Sequence, residues 1–190
     1  PHPARHASPA FKCTITAMPD TLNLATPSEL LLRPATPQDL PQLLAIENAC
    51  FTPKEAATAA AFALRLQRIP DSFWVTERHG QVIGLINGPV VAERYIRDEL
   101  FKQLNANPAT GGHQTVLGLA VHPAHRKLGI GRLLLAQLET VARTAQRETV
   151  TLTCLEDRVP FYAALGYVNE GISASAHAAE VWLNMVKPLR

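Results

Sequence analysis

The segment of this sequence best suited to chemistry is a short glycine-rich turn, Arg126-Lys127-Leu128-Gly129-Ile130-Gly131. It lies between an apolar run over residues 116–121 and a helical pattern that begins at Ile130. A phosphate group needs several backbone N–H groups that converge on one point, and a glycine-rich turn entering a helix provides them. Side chains at Gly129 and Gly131 would block that approach, and the helix dipole favours an anion there. The turn therefore predicts a phosphate site; the alternative is that two glycines simply close a strand-to-helix connection.

Two other kinds of phosphate motif do not fit these residues. A Walker loop needs Gly-x-x-x-x-Gly-Lys-Ser/Thr, which the sequence lacks. The dinucleotide fingerprint needs a third glycine where Leu134 stands, followed by a long series of alternating strands and helices. Only about a third of the chain remains after Gly131. Both motifs therefore describe this turn poorly.

The elements around the turn predict one mixed α/β domain over residues 29–190, without internal repeats. The apolar run over residues 116–121 does not alternate, which indicates a strand buried on both faces. The predicted strands are residues 30–33, 73–76, 82–86, 116–121, 149–153, 167–171 and 179–186. The predicted helices are residues 36–49, 54–68, 93–104, 130–146 and 157–165.

Composition narrows the class of protein. Of 190 residues, 47% are apolar and 18% charged, which is typical of a folded domain. The formal net charge of +2 gives no argument for a nucleic-acid partner. No apolar run approaches the roughly 20 residues that a membrane helix needs, so we expect a soluble protein with no membrane partner.

The termini and the cysteines add two expectations. Residues 1–28 are rich in Pro, Ala, Ser and Thr, so we predict a disordered N-terminal extension. The three cysteines are widely scattered and suggest neither a disulfide framework nor a zinc site: Cys13, Cys50 and Cys154. Free cysteines fit a reducing cytoplasm, where we expect a monomer or weak homodimer.

The run Leu119-Ala120-Val121-His122-Pro123, followed by Arg126-x-x-Gly129-x-Gly131, resembles the acetyl-CoA signature of the GNAT superfamily of N-acetyltransferases. The resemblance implies a mixed, mostly antiparallel central sheet with a splayed central strand pair and helices on both faces. It implies acetyl-CoA as cosubstrate, with the pantetheine arm along the central strand and the pyrophosphate in the turn. The implied cofactor-binding residues are Leu119, Ala120, Val121, Arg126, Lys127, Leu128, Gly129, Ile130, Gly131 and Arg132.

A narrower resemblance involves Val159-Pro160-Phe161-Tyr162, which is similar to the matching segment of arylalkylamine (serotonin-type) N-acetyltransferases. The long insertion that opens at Ala92 is also similar to that subfamily. Vertebrate members carry a His-x-His pair where Thr115 and Leu117 stand here, and their Cys-Pro-Leu substrate loop is absent. The sequence thus resembles the non-vertebrate branch. The implied acceptor-binding residues are Phe51, Thr115 and Leu117.

Acetyl transfer to an amine needs a neutral nucleophile, an oxyanion stabiliser and a proton for the departing thiolate. With the resemblance, Tyr162 is the candidate general acid, because its ordinary pKa of about 10 lies above the ~8.5 of a thiol. A backbone N–H near Leu119 would meet the oxyanion. For the base the sequence leaves His113 and Glu47 open, with Thr115 able to order a water.

The expected function is acetylation of a primary amine of a small molecule, of the arylalkylamine or polyamine type. Two alternatives remain: a protein lysine or N-terminal acetyltransferase, and an acetyl-CoA-binding sensor without turnover. The insertion over residues 93–112 favours a small acceptor, since it could close over the site as a lid.

Overall fold

The structure is a computed structural model that describes residues 30–97, 100, 104–175 and 180–189. The predicted extension over residues 1–28 lies outside the described residues. The helices are α1 Leu40–Cys50, α2 Ala59–Arg68, α3 Ile130–Thr144 and α4 Val159–Ala163. The strands are β1 Leu30–Pro34, β2 Phe73–Arg78, β3 Gln81–Asn87, β4 Val90–Val91, β5 His113–Val116, β6 Gly118–Val121, β7 Thr149–Cys154, β8 Val168–Ile172 and β9 Leu183–Pro188.

The strands form two sheets, one ordered β1-β2-β3-β6 and the other β4-β5-β7-β9-β8. Every pairing is antiparallel except that of β5 with β7. This arrangement confirms the predicted mixed, mostly antiparallel α/β class.

Helices cover both faces of the first sheet. Leu85 packs in the cluster with α1 and α2, whereas its neighbour Ile86 packs in the cluster with α3. Successive side chains of a strand point to opposite faces, so these two residues place the helices on opposite sides. The α3 side chains that fill the core recur at helical spacing: Leu134, Leu135, Leu138 and Ala142.

The predicted central strand is broken at Leu117. β5 ends at Val116 and belongs to the second sheet, whereas β6 begins at Gly118 and belongs to the first. The Leu117 N–H donates to the carbonyl of Asn87 at 2.8 Å, and Gly118 is also paired with Asn87. Two consecutive residues therefore oppose one, which is a β-bulge, and the strand changes sheets there.

The second helix begins later than its alanine content predicted. Its first residue is Ala59, and the hydroxyl of Thr58 accepts a hydrogen bond from the N–H of Ala61 at 3.2 Å. A threonine that caps the free N–H groups of a first turn fixes where a helix starts. The residues from 51 to 58 form the connection between α1 and α2, named here the α1–α2 loop.

The insertion between β4 and β5 is not the helix predicted over residues 93–104, as far as residues 92–97 are described. Arg94 instead crosses to β8 and binds Glu170 through two nitrogens at 2.6 and 2.9 Å. At the other end, the Asn107 side chain donates to Asp71 and Ser72. Long-range polar contacts therefore hold the insertion against the sheet. Among the described residues, no helix has the length and apolarity to cross a membrane.

Candidate active site

The break in the central strand opens a gap between the two sheets. β5 and β7 stay paired as far as Val116 and Leu152. Beyond that point β6 pairs only with β3, so Thr153 and Cys154 of β7 separate from it. The gap between β6 and the end of β7 is the splayed strand pair that the resemblance implied.

β6 presents to this gap backbone groups that are not paired with another strand. The Val121 carbonyl points away from β3 and accepts hydrogen bonds from Cys50 Sγ and Arg126 Nε, both at 3.3 Å. Because backbone groups alternate in direction along a strand, the N–H and C=O of Leu119 face the same side. The backbone groups of Ala120 face β3 instead, and its side chain packs with α1 and α2. The edge can thus pair with an extended ligand through Leu119 and Val121.

The glycine-rich turn closes one end of the gap. Lys127 and Gly129 both adopt left-handed backbone conformations, with φ of 64° and 78°. Glycine adopts this conformation without strain, whereas Lys127 does so at a cost. A Cβ atom at Gly129 would meet nothing within 4 Å, so the space over the turn is open. The buried side chain of Ile130 anchors the turn to the core.

The N-terminus of α3 offers unpaired donors to that space. The first helical hydrogen bond runs from the N–H of Leu133 to the carbonyl of Gly129 at 3.0 Å, and no described side chain caps the helix. The three preceding N–H groups, on residues 130–132, have no acceptor within the helix. Three exposed cations surround them: Arg126, Lys127 and Arg132. This arrangement suits an anion such as a pyrophosphate, and Leu128 is exposed beside it.

Tyr162 lies on α4, against the end of β7. Its ring makes edge contacts with the rings of Phe161 and Tyr167, with centroids 5.0 and 5.8 Å away. Burial raises the pKa of the Tyr162 hydroxyl well above its usual range, and the nearby Cys154 raises it further. Burial also raises the pKa of the Cys154 thiol to about 11. Among the described residues, none forms a hydrogen bond with the Tyr162 hydroxyl, so its proton is available.

Glu47 lies on the opposite face of the sheet from α3, under the α1–α2 loop. Its Oε1 accepts a hydrogen bond from the N–H of Ala57 at 2.9 Å, and its Oε2 has no partner among the described residues. Burial raises the pKa of this carboxyl, although the Ala57 N–H and the charge of Arg65 oppose that rise. Phe51 follows α1 directly and is half-buried at the start of the loop.

The remaining predicted residues are distributed unevenly. Leu117 is half-buried at the break itself. Thr115 is fully buried and its hydroxyl already donates to the Pro89 carbonyl at 2.7 Å. His113 contacts Thr149 at 2.9 Å at the start of β5. It lies four residues before Leu117 along the chain, roughly 13 Å at the usual rise of a strand, so His113 is remote from the gap.

Sequence reasoning missed two buried polar residues near the break. Arg65 of α2 donates from Nη1 to Oδ1 of Asn87 at 3.2 Å, and its guanidinium lies 5.6 Å from the centre of the Phe62 ring. The sequence shows Arg65 as a favourable cation in the last turn of a helix, which hides its burial. Asn87 is the last residue of an apolar strand. An amide side chain buried there needs a hydrogen-bond partner, and that need was the available signal.

The splayed strands and the phosphate turn point to one family. The family model described as the acetyltransferase (GNAT) family matches residues 40–167, about two thirds of the sequence. The chain belongs to this family. The matched residues run from α1 to the residue before β8, so they contain the gap, the turn and Tyr162.

A curated GNAT relative is similar over part of its length. The protein named uncharacterized N-acetyltransferase ycf52, from Pyropia yezoensis, is 28% identical over 111 residues. The match covers 55% of this chain and 64% of that relative, so the chain spans less than two thirds of it.

Solved structures share the GNAT fold. The GphF GNAT-like decarboxylase in complex with isobutyryl-CoA superposes with a TM-score of 0.73 at 22% identity, covering 84% of this chain and all of that one. Naa20 from Chaetomium thermophilum, in complex with a bisubstrate analogue, gives a TM-score of 0.61 at 26% identity, covering 83% and 86%. The first likeness concerns the fold alone.

Proposed function

We propose that this GNAT protein transfers an acetyl group from acetyl-CoA to a primary amine of a small molecule, of the arylalkylamine or polyamine type. One observation carries the proposal: the gap between β6 and β7 has the glycine-rich turn at one end and Tyr162 beside it. A ligand with a pyrophosphate and an extended amide-bearing arm complements these features. The isobutyryl-CoA held by a fold neighbour is a ligand of that shape class.

In this assignment acetyl-CoA pairs with the edge of β6 and is anchored at the turn. Its pantetheine amides would take the Leu119 carbonyl and the backbone groups of Val121, because the β3 side of the strand is already paired. The Leu119 N–H would remain for the thioester oxygen. Its pyrophosphate would take the open N–H groups of α3 and the surrounding cations. Arg126, which now contacts the Val121 carbonyl, would be released to the phosphates.

The acceptor amine must lose a proton before it attacks. An alkylamine of pKa about 10.4 is mostly charged at pH 7, so freeing its lone pair costs ~4.6 kcal/mol. We assign this proton to Glu47, since burial raises its pKa toward the working pH, as an efficient base requires. His113 is too far from the gap for this role. The α1–α2 loop covers Glu47, so it must shift to admit the amine.

Tyr162 supplies the second proton. The amine nitrogen forms a bond to the thioester carbon, and the carbon–sulfur bond then breaks. The sulfur leaves as a thiolate and takes the Tyr162 proton, while the nitrogen releases its excess proton to solvent and Tyr162 regains one from solvent. Free CoA thiol and an amide are the products. The raised pKa keeps Tyr162 protonated throughout the physiological range, and it also makes the hydroxyl a weaker acid, so the proton moves only as negative charge develops on the sulfur.

A second candidate function is acetylation of a protein N-terminus. A fold neighbour named a ribosomal-protein-S18-alanine N-acetyltransferase, from Escherichia coli, supports it at the level of the fold, with a TM-score of 0.63 at 16% identity. The insertion favours a small acceptor instead, because Arg94 ties its start to Glu170 of β8 and the segment could close over the site as a lid. A sensor without turnover would have no use for a tyrosine with a free proton beside the gap.

Release of free thiol from acetyl-CoA tests these functions directly. The purified chain should turn over with arylalkylamines or polyamines and show little thiol release with peptides. Preference for peptides would favour the second function. If calorimetry shows tight binding of acetyl-CoA but neither the amines nor the peptides cause thiol release, the protein is a sensor and the proposal is overturned.

A further inference from the structure

A buried polar cluster lies under the break in the central strand, on the face covered by α1 and α2. Its centre is Asn87, which is fully buried and is the β3 residue paired with Gly118. Arg65 binds the Asn87 side chain, and the charge of Arg65 acts on Glu47, so the three belong to one cluster. None of these contacts is needed to bind the pyrophosphate.

The contact with Arg65 fixes the orientation of the Asn87 amide. A guanidinium can only donate hydrogen bonds, so the atom it touches at 3.2 Å must be the amide oxygen. The amide nitrogen Nδ2 is then directed elsewhere, and it is buried without an acceptor among the described residues. An unpaired buried N–H destabilises a folded protein, so its retention calls for a partner that binds there.

Gly118 leaves room beside this nitrogen. A Cβ atom at residue 118 would lie 3.2 Å from Nδ2, and its next two neighbours would belong to the same Asn87 side chain. The backbone of Gly118 is not in the left-handed region, so its conformation alone does not demand glycine. What glycine provides is space over the amide, at a half-buried position on the edge of the gap.

The partner of Asn87 Nδ2 follows from comparing the two substrates, acetyl-CoA and the acceptor amine. Nδ2 is a donor, and the N–H of the next residue, Leu119, is a second donor at the break. A carbonyl oxygen accepts from both. An attacking amine does not fit, because its N–H groups are donors and its lone pair must point at carbon.

We propose that Nδ2 of Asn87 donates a hydrogen bond to the carbonyl oxygen of the thioester, an inference that rests on the proposed acetyl transfer. Arg65 is the positioning residue that holds the Asn87 amide in this orientation. As the amine nitrogen bonds to the carbonyl carbon, one electron pair of the C=O bond moves onto this oxygen. The pair returns when the carbon–sulfur bond breaks. The donor therefore gains most in the transition state.

Asn87→Asp separates this role from a purely structural one. The substitution keeps size and shape and turns the contact with Arg65 into an ion pair, but it replaces the donor by an acceptor. We expect kcat to fall ~10²–10³-fold, with the KM for acetyl-CoA within threefold and the melting temperature unchanged or higher. Activity within threefold of wild type would overturn the proposal, since Asn87 would then be only a partner for Arg65.

The added charge near Glu47 requires a pH profile. If Asn87→Asp acts by removing the hydrogen-bond donor, kcat falls at every pH. If it acts through the new negative charge, that charge raises the pKa of Glu47, so the acid limb of the pH–rate profile moves to higher pH and kcat recovers at alkaline pH. Recovery of kcat above the shifted limb would overturn the proposal. Calorimetry with acetyl-CoA distinguishes this failure from failure of the proposed function, in which the wild type itself would not bind.

Three further variants keep the test open if Asn87→Asp does not fold. Gly118→Ala places a Cβ beside Nδ2 without changing Asn87, and it should lower kcat by a similar factor. Arg65→Lys should retain most activity while Arg65→Met loses it, both with little change in the KM for acetyl-CoA. Wild-type kcat in Gly118→Ala, or equal kcat in the two Arg65 variants, would contradict the proposal.

Discussion

A Cβ atom at Gly131 would lie 3.8 Å from Cζ of Phe161, so α4 rests against the first turn of α3. The same Cβ would lie 3.9 Å from Cγ2 of Val121, on the strand that borders the gap. Gly131 therefore sits where three elements meet: the free strand edge, the phosphate turn and the helix that carries Tyr162. A ligand anchored at the turn and running along β6 must pass the tyrosine.

Gly129→Glu should abolish binding of acetyl-CoA. Nothing within 4 Å would obstruct a side chain at this position, so the new carboxylate can occupy the space over the turn and repel the pyrophosphate. Isothermal titration calorimetry on the folded variant checks the affinity. Unchanged binding would remove the turn from the cofactor site.

Gly129→Ala is the matched control for backbone strain. It shares the unfavourable left-handed conformation at φ 78°, which costs about 1–2 kcal/mol, but it adds no charge. We expect a lower melting temperature with acetyl-CoA binding largely retained. If both variants lose binding equally, strain rather than charge is the cause.

Glu47→Gln should lower kcat ~10²–10⁴-fold, the usual worth of a general base, while acetyl-CoA still binds. Because burial raises the pKa of Glu47, the wild-type pH–rate profile should fall on its acid side at a pH above the ordinary glutamate pKa of about 4.3. Below the raised pKa the carboxyl is protonated and cannot accept the amine proton. The pH dependence of kcat/KM measures this limb directly.

Glu55→Gln is the control for a nearby carboxylate. Glu55 is half-buried on the α1–α2 loop, and its carboxylate accepts a hydrogen bond from the Thr52 hydroxyl at 2.6 Å. Its loss should leave the acid limb in place. An acid limb that moves in Glu55→Gln and stays in Glu47→Gln would assign the base to the loop.

Local sequence patterns predicted the glycine-rich turn and the helix start that follows it, because the requirements of such a turn are local. Two glycines, an adjacent helix start and nearby cations follow one another in the chain, so residues 126–132 define the feature by themselves. The family signature added the splayed sheet. The strand break at Leu117 was not predicted, because a bulge depends on what the partner strand offers, here the single carbonyl of Asn87.

The acceptor side of the site is less predictable for the same reason. Glu47, Arg65 and Asn87 come from three separate elements and meet only after α1 and α2 pack on the sheet. Arg65 lies near the end of the helix predicted over residues 54–68, where the sequence alone gives no sign that packing buries it. In the insertion, the helix predicted over residues 93–104 does not form over residues 93–97, where Arg94 pairs with Glu170 of β8.

The Arg94–Glu170 contact should control access of the acceptor rather than stability. The pair is partly exposed, with side-chain exposures of 41% and 22%, so it contributes at most about 1 kcal/mol to folding. Arg94→Gln and Glu170→Gln should each raise the KM for the amine severalfold with kcat little changed. The double variant should resemble either single one, because both remove the same contact.

Arg97→Gln tests whether any charge in the insertion has this effect. Arg97 pairs with Glu93 within the insertion itself and is more exposed, so its loss should leave the KM for the amine unchanged. If the effects of Arg94→Gln and Glu170→Gln on the KM for the amine add up in the double variant, the two residues act separately. Their ion pair would then not control access of the acceptor.

Tyr162→Phe should lower kcat with little change in the KM for acetyl-CoA, because only the transition state loses an interaction. General-acid catalysis is worth ~10²–10⁴-fold, and we expect a fall in that range, smaller if water substitutes as donor. The neighbouring Tyr167→Phe is the control. Its hydroxyl donates to Glu139 at 3.1 Å, so its loss should cost about 0.5–1.5 kcal/mol of stability and leave kcat intact.

The alkaline side of the rate profile separates the two tyrosine roles further. Since burial raises the pKa of Tyr162, the hydroxyl stays protonated beyond its ordinary value of about 10, and wild-type kcat should not fall through its ionisation below that pH. A decline that begins near pH 8–9 in the wild type and vanishes in Tyr162→Phe would mean that the site lowers this pKa when acetyl-CoA binds. Turnover of Tyr162→Phe within about twofold of wild type would make Tyr162 structural, because a removed general acid cannot leave the rate unchanged. The thiolate would then take its proton from water, and the free hydroxyl beside the gap would serve only the packing of α4 on β7.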